Sequence, residues 1–224
     1  MKIITNIFFS VLCILFASGC GLDNYDEPQS TLEGRVVYNN QPICVRGTAD
    51  AVQVQLYQDG YDKHDPIPVY LTQDGSFKAI LFNGQYKLIT RSGNGPWLNS
   101  SDTIVVNVNG YTRCELPVTP YFTLSNESFS LNGNVLNGSA LVTKVVSTSS
   151  ITNALLLVSK TAFVDEGTYL AREEINNVSE GTLSMSLDLT DNEEVASAVA
   201  LYARIGIKPA ESDQFVYTPV VQIR

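Results

Sequence analysis

The chain has 224 residues, with 14 basic and 23 acidic side chains, one histidine and a formal net charge of −9. That balance argues against a nucleic-acid backbone or an anionic membrane surface as a direct ligand. The length suits one or two domains with full cores. One histidine and four cysteines leave little material for a zinc site.

Met1-Lys2, an apolar run from Ile3 to Phe16, and the small residues Ala17-Ser18-Gly19 precede Cys20. This is the layout of a secretory signal peptide over residues 1–19, with a core too short to span a bilayer. Small residues followed directly by cysteine resemble the lipobox of bacterial lipoproteins. The resemblance implies that Cys20 becomes the lipid-bearing amino terminus and anchors the chain to a membrane. The same small residues also suit an ordinary signal peptidase, which would release a periplasmic protein. Of the four cysteines, Cys13 leaves with the signal and Cys20 takes the lipid. Cys44 and Cys114 then remain as a candidate disulfide in an oxidising compartment, and sequence leaves their geometry open.

Residues 20–31 form a polar, proline-containing tether. Strand and turn signals fill residues 32–118. Leu32–Tyr38 is short and β-branched, and Ala51–Tyr57 alternates apolar and polar side chains as a half-buried strand does. Asp74-Gly75 between Val69–Thr72 and Phe77–Leu81 predicts a hairpin turn. Tyr86–Thr90, Ile104–Val108 and Arg113–Val118 complete the unit. Leu32-Glu33-Gly34-Arg35-Val36-Val37, Asp74-Gly75-Ser76-Phe77 and Leu81-Phe82-Asn83-Gly84-Gln85-Tyr86 together resemble carboxypeptidase-regulatory-like, or transthyretin-like, β-sandwich domains. Those modules are not enzymes, and the resemblance implies a sandwich with Phe77 and Tyr86 in its core.

Leu116-Pro117-Val118-Thr119-Pro120-Tyr121 predicts a short semi-rigid hinge, because two prolines stiffen the chain and withhold ladder donors. Residues 121–224 continue in β. Tyr121–Leu124, Ser128–Leu131, Ala140–Val146 and Ala154–Lys160 are predicted strands, with turns at Asn132-Gly133 and Asn137-Gly138. Leu183, Met185, Leu187 and Leu189 share one face of a later strand. Val199, Leu201, Ala203, Ile205 and Ile207 share one face of another, with Tyr202 and Arg204 opposite. Phe215–Ile223 ends the chain. Asp165–Glu180 has mild helical character. About seven strands in a hundred residues predict an immunoglobulin-like sandwich. The fold expected is all-β, two tandem sandwiches.

The lipobox, Asn24-Tyr25-Asp26, Thr31-Leu32-Glu33-Gly34-Arg35, Gly95-Pro96-Trp97 and Val118-Thr119-Pro120-Tyr121 resemble Bacteroidetes lipoproteins of the domain-of-unknown-function family 3823. That resemblance implies an outer-membrane, surface-facing lipoprotein working beside a glycan importer and its lid lipoprotein. It implies a role in glycan capture, with no catalytic residues to carry over.

Catalysis has few candidates. His64 lies in a polar loop, and no nucleophile elbow is present. Glu173-Glu174 and Glu193-Glu194 are neighbours that a strand would point to opposite faces. Asp59, Asp62, Asp65 and Asp74 lack the spacing of an EF-hand loop and read as a solvated acidic stretch, so no metal and no cofactor is expected. For a ligand the candidate is Trp97, the sole tryptophan. An exposed indole stacks on sugar C–H faces, and Asn94, Asn99 and Asp102 lie close in sequence to take hydroxyls. The alternative is that Trp97 folds back into the core, as tryptophans usually do. The resemblance thus implies a non-catalytic outer-membrane accessory lipoprotein that binds polysaccharide or assists its delivery to an importer. The alternative is a module that docks on the importer without holding sugar.

Overall fold

The computed structural model describes residues 26–60 and 63–224. Cys20, most of the tether, Tyr61 and Asp62 lie outside the described residues. The first domain runs β1 (Ser30–Tyr38), β2 (Gln41–Pro42), β3 (Gln53–Tyr57), β4 (Ile67–Tyr70), β5 (Ser76–Leu81), β6 (Gly84–Thr90), β7 (Ile104–Val108) and β8 (Tyr111–Pro117). The second runs β9 (Phe122–Asn132), β10 (Val135–Lys144), β11 (Ile151–Ser159), β12 (Ala171–Asn176), β13 (Gly181–Asp188), a short helix α1 (Glu193–Ser197), β14 (Tyr202–Pro209), β15 (Val216–Tyr217) and β16 (Val221–Gln222).

Each domain is a pair of sheets. In the first, β1 is flanked by antiparallel β5 and parallel β8, with β2 on its far end, and the facing sheet has the order β4-β3-β6-β7. Alternation in β1 decides the layering: Leu32 and Val36 are buried, while Glu33 and Arg35 point away. Val54, Leu56, Leu88 and Val106 meet them from the other sheet. The second domain sets β13-β10-β9 against β12-β11-β14-β15, with β16 also on β14.

Several local expectations are corrected. Asp74-Gly75 does form a tight turn, with Gly75 at a φ of 76° and its N–H on Thr72 O at 2.9 Å. Its arms part after the single bridge Leu71–Phe77, because β4 and β5 belong to opposite sheets. The two short strands expected over 121–131 are one long strand, β9. A bulge accommodates Asn126 at a φ of 53° and shifts the register against β10. Asn137-Gly138 lies inside β10 rather than in a turn, since the turn is taken by Asn132-Gly133 and Gly138 pairs with both Phe129 and Met185. The helical character expected over 165–180 gives way to β12, which pairs with β11. Val199 is 95% exposed and precedes its strand.

The hinge is also corrected. Val118 N donates to Val37 O at 2.9 Å, Leu98 N to Thr119 O at 2.9 Å and Tyr121 N to Pro96 O at 3.1 Å. The joint is thus laced into the first domain on one side. Val145 N bonds Tyr121 O at 3.0 Å on the other. One apolar cluster runs from Leu32 and Trp97 through Tyr121 and Phe122 to Leu136 and Ile205, so the two cores are continuous.

Polar groups complete the weld. Arg204 of β14 is fully buried. Its Nε donates to Thr218 O at 2.8 Å, Nη1 to Val164 O at 3.0 Å, and Nη2 crosses to Gln73 O of the first domain at 2.6 Å. The guanidinium lies 4.2 Å from the Tyr217 ring centre. Burial lowers its pKa to about 10, so it stays charged at neutral pH. Asp165, also fully buried, accepts from Gly47 N at 3.1 Å, Thr48 N at 3.0 Å, Thr48 Oγ1 at 2.8 Å and Gly167 N at 2.8 Å.

Glu166 beside it accepts from the Tyr217 hydroxyl and pairs with Arg46 at 3.3 Å. Burial raises its carboxyl above the ordinary 4.5, against the pull of Arg46. The folded state then holds a proton that the unfolded state has released, so this group's contribution to stability falls as pH rises from 4.5 toward the raised value. Glu166→Gln should flatten that part of the profile. Chemical unfolding of both proteins between pH 4 and 8 checks it: a difference in stability that does not vary with pH would sink the assignment.

Candidate functional site

Of the ligand candidates read from the sequence, Trp97 lies at the domain joint and both asparagine side chains are already engaged. Trp97 is 3% exposed and bridges Pro120. Its indole lies flat on Gly95, where an added Cβ would come within 2.1 Å of the ring. Neither ring face is open for a sugar, which corrects the stacking role; tryptophan's large apolar area is spent on joining the cores. Asn94 Oδ1 accepts from Gln53 N at 2.7 Å and its Nδ2 donates to Ala51 O at 2.7 Å. Asn99 Oδ1 accepts from Gly93 N at 2.6 Å. Asp102 is exposed, with its backbone N–H on Ser100 Oγ at 2.9 Å. The asparagines close loops around the joint, and the four residues do not form a cleft.

The thiols are also corrected: both are free. Cys44 faces the second domain among Leu155, Val164 and Tyr217, and its carbonyl accepts from Tyr217 N at 3.0 Å. Cys114 sits in β8 opposite Gly34. Burial raises Cys44 and holds Cys114 at about 11, so both are protonated and unreactive at neutral pH. In the acidic loop, Lys87 pairs with Asp59 at 2.7 Å, and Asp74 Oδ1 accepts from Ser76 N at 3.1 Å and Ser76 Oγ at 2.7 Å. Among the described residues no three His, Cys, Asp or Glu side chains gather as a metal site.

The open surface lies elsewhere, on the outward face of β8-β1-β5. The register stacks three rows across these strands. Tyr111, Thr31 and Ile80 form the first, Arg113, Glu33 and Lys78 the second, and Glu115, Arg35 and Ser76 the third. Rows two residues apart are separated by about 6.6–6.8 Å. Tyr111 is 55% exposed and Ile80 62%, so the first row is an apolar shelf. The other rows line a cleft of about 910 Å³ that also takes in Thr72 and Phe77.

A network ties the rows together. Lys78 Nζ lies 3.2 Å from Glu33, the Tyr111 hydroxyl donates to Glu33 across the diagonal, and Arg113 Nε donates to the Tyr111 hydroxyl at 2.8 Å. The Arg113 guanidinium stands 5.2 Å from the Tyr111 ring centre. Tyr111 first and Lys78 second hold the Glu33 carboxyl below its ordinary value, so it stays ionised. Sequence reasoning missed this face. The signal was present: charge falls on alternate positions in Leu32-Glu33-Gly34-Arg35-Val36 and again in Arg113-Cys114-Glu115-Leu116. What no periodicity gives is that β8 lies parallel to β1 and brings the two sets into register.

The second domain offers a different surface. On the outer face of β13-β10-β9, Ser184, Ser139 and Ser128 form one row and Ser186, Asn137 and Ser130 the next. They line a shallow, uncharged trough of about 310 Å³.

Two sandwiches joined by a continuous core and a set of polar contacts, with one charged and aromatic sheet face left open, define a two-domain all-β protein. Residues 30–119 match the model of the DUF3823 N-terminal domain, a protein of unknown function, and residues 122–222 match DUF3823_C, a domain of unknown function. The chain belongs to the DUF3823 family. It is 46% identical to a solved DUF3823 protein from Parabacteroides merdae, with a TM-score of 0.86 over 89% of this chain and all of that one. It is 32% identical to another from Bacteroides ovatus, with a TM-score of 0.78 over 87% of this chain and 98% of that one. A proposed carbohydrate binding protein from Bacteroides uniformis shares the fold at 17% identity, with a TM-score of 0.73 over 88% of this chain and all of that one. No curated protein matches the chain.

Proposed function

We propose that this chain is a non-catalytic, lipid-anchored accessory protein of the outer membrane. In this reading it binds glycan on the outward face of β8-β1-β5 and assists delivery to an importer. The observation that carries the reading is the apolar shelf of Tyr111 and Ile80 on the same sheet face as, and next to, a cleft lined by donors and acceptors. Sugars ask for that combination: C–H faces rest on apolar side chains while hydroxyls exchange hydrogen bonds with charged and polar ones. The description of the Bacteroides uniformis protein as a carbohydrate binder supports the same class. Tyr111 and Lys78 hold the Glu33 carboxyl down, which does not suit it to the acid role in glycoside hydrolysis. The anchor rests on the signal layout ahead of Cys20.

A second reading is favoured by the burial of Trp97 and the exposure of Ile80, Phe82 and Tyr111. There the same apolar shelf docks on a protein of the importer and holds no sugar.

Affinity electrophoresis of the mature protein against a panel of neutral and acidic polysaccharides separates the two. Retardation by at least one polymer, weakened about tenfold or more in Tyr111→Ala, is expected. No retardation, together with Tyr111-dependent co-purification of an outer-membrane transporter, would replace the first reading with the second.

A further inference from the structure

The charges on the open face single out a class of glycan. The chain as a whole is acidic, yet the second and third rows carry Arg113, Lys78 and Arg35 against Glu33 and Glu115. Lys78 is committed to Glu33 at 3.2 Å. The two arginines are not committed in that way: among the described residues no carboxylate lies within ion-pair distance of either guanidinium. Arg113 is positioned without being used up. Its Nε is taken by the Tyr111 hydroxyl and its plane is held near the ring, which leaves both terminal nitrogens to a partner. Arg35 lies one row on, between Glu115 and Ser76, and makes no side-chain hydrogen bond to the described residues. Nearby Asp74, the acid that feels Arg35, is occupied by Thr72 and Ser76.

A guanidinium fork matches a carboxylate with two parallel hydrogen bonds, and such charge-assisted pairs are the strong ones. Two forks on adjacent strands, one row apart, are separated at their Cα atoms by roughly 8 Å from strand and row spacings. Long, flexible arginine side chains set that far apart can meet carboxylates on neighbouring or alternate units of one sugar chain. The shelf of Tyr111 and Ile80 is the next row along, so a chain following β1 meets apolar contact first and the two arginines after it.

Resting on the carbohydrate reading above, we infer that the cleft of β8-β1-β5 recognises uronic-acid-containing glycan, with Arg35 and Arg113 receiving the carboxylates. Neutral glycans would gain only the shelf and the hydroxyl contacts. Glu33 and Glu115 would repel a ligand whose acids fall out of register, which makes spacing of the carboxylates part of the selection.

The test uses the mature protein with polygalacturonate, alginate and hyaluronate, each beside its carboxyl-reduced form, and with poly-L-glutamate. It is run near 0.15 M salt so that diffuse attraction is screened. At least one acidic polymer should bind, its reduced form should bind about 10- to 100-fold more weakly, and Arg35→Gln should lose a similar factor. Arg35→Lys should recover part of the loss. Arg91→Gln, which removes an exposed charge beyond this face, should change nothing. Equal binding of the reduced polymers, or equal loss in Arg91→Gln, would overturn the acidic assignment while leaving glycan binding standing. Arg35-dependent binding of poly-L-glutamate as tight as that of the polysaccharides would overturn the sugar. Failure of acidic and reduced polymers alike would remove the carbohydrate reading with it.

Discussion

Replacing Arg204 with methionine is expected to destabilise the protein by about 3–5 kcal/mol, measured by urea unfolding. Three backbone carbonyls, those of Thr218, Val164 and Gln73, converge on the guanidinium. Methionine fills the volume but donates nothing: Gln73 O keeps Val45 N at 3.3 Å, while the Thr218 and Val164 carbonyls lose this donor, at about 1–3 kcal/mol for each one left unpaired. Removing the charge returns part of this, because a desolvated cation is itself costly. When both partners of a buried ion pair are replaced the exchange can be neutral. Here the acceptors are main-chain atoms that no side-chain substitution removes, so the balance remains unfavourable. The loss should also uncouple the domains, since the Gln73 carbonyl belongs to the first and Arg204 to the second. A single unfolding transition in the parent should split or broaden in the variant, with a lower m-value. Lysine should not rescue, because a point charge on a flexible stem cannot serve three fixed directions. A loss under about 1 kcal/mol with one sharp transition would show that the weld is held elsewhere.

Arg204 also marks where sequence reading reaches its limit. Its strand was legible: Ala203, Ile205 and Ile207 alternate and are all buried. The same alternation placed Arg204 on the opposite face, which is correct, and an arginine on an opposite face ordinarily meets water. That face is covered because a whole domain packs on it, and period-2 patterning describes one strand at a time. Asp165 and Gln73 were hidden for the same reason: they lie in connecting segments whose value comes from partners about 90 to 130 residues away. The all-β class and the core residues of the sheets were legible, since Leu32, Phe77, Tyr86, Leu187 and Ile205 declare themselves by spacing and residue type. Local choices with two consistent outcomes were not. Asn137-Gly138 suits a turn, yet one turn five residues earlier already reverses the chain. Residues 171–176 alternate weakly enough for helix or strand, and pairing with β11 decides the matter. The candidate cleft needed the parallel register of β8 on β1, a contact across about 80 residues that no local pattern encodes.

Trp97→Ala supplies the other large effect, and it separates a packing residue from a binding one. Had the indole been a sugar platform, its removal would abolish binding and leave stability within about 0.5 kcal/mol, as exposed substitutions do. Buried against Gly95 and Pro120, inside the cluster that joins both cores, it should instead cost about 3–5 kcal/mol. The indole N–H has no hydrogen-bond acceptor among the described residues. Trp97→Phe keeps most of the ring contact and removes that orphan donor, so it should cost much less, about 1.5 kcal/mol or under. The order of effects is therefore alanine far below phenylalanine, and phenylalanine close to the parent. On the glycan reading proposed above, the affinity of the folded Trp97→Phe protein should match the parent, because the open face of β8-β1-β5 does not include this residue. Thermal or urea unfolding measures the first comparison and affinity electrophoresis the second. A stable Trp97→Ala protein that no longer binds would move the site back to the joint and away from Tyr111, Arg113 and Arg35.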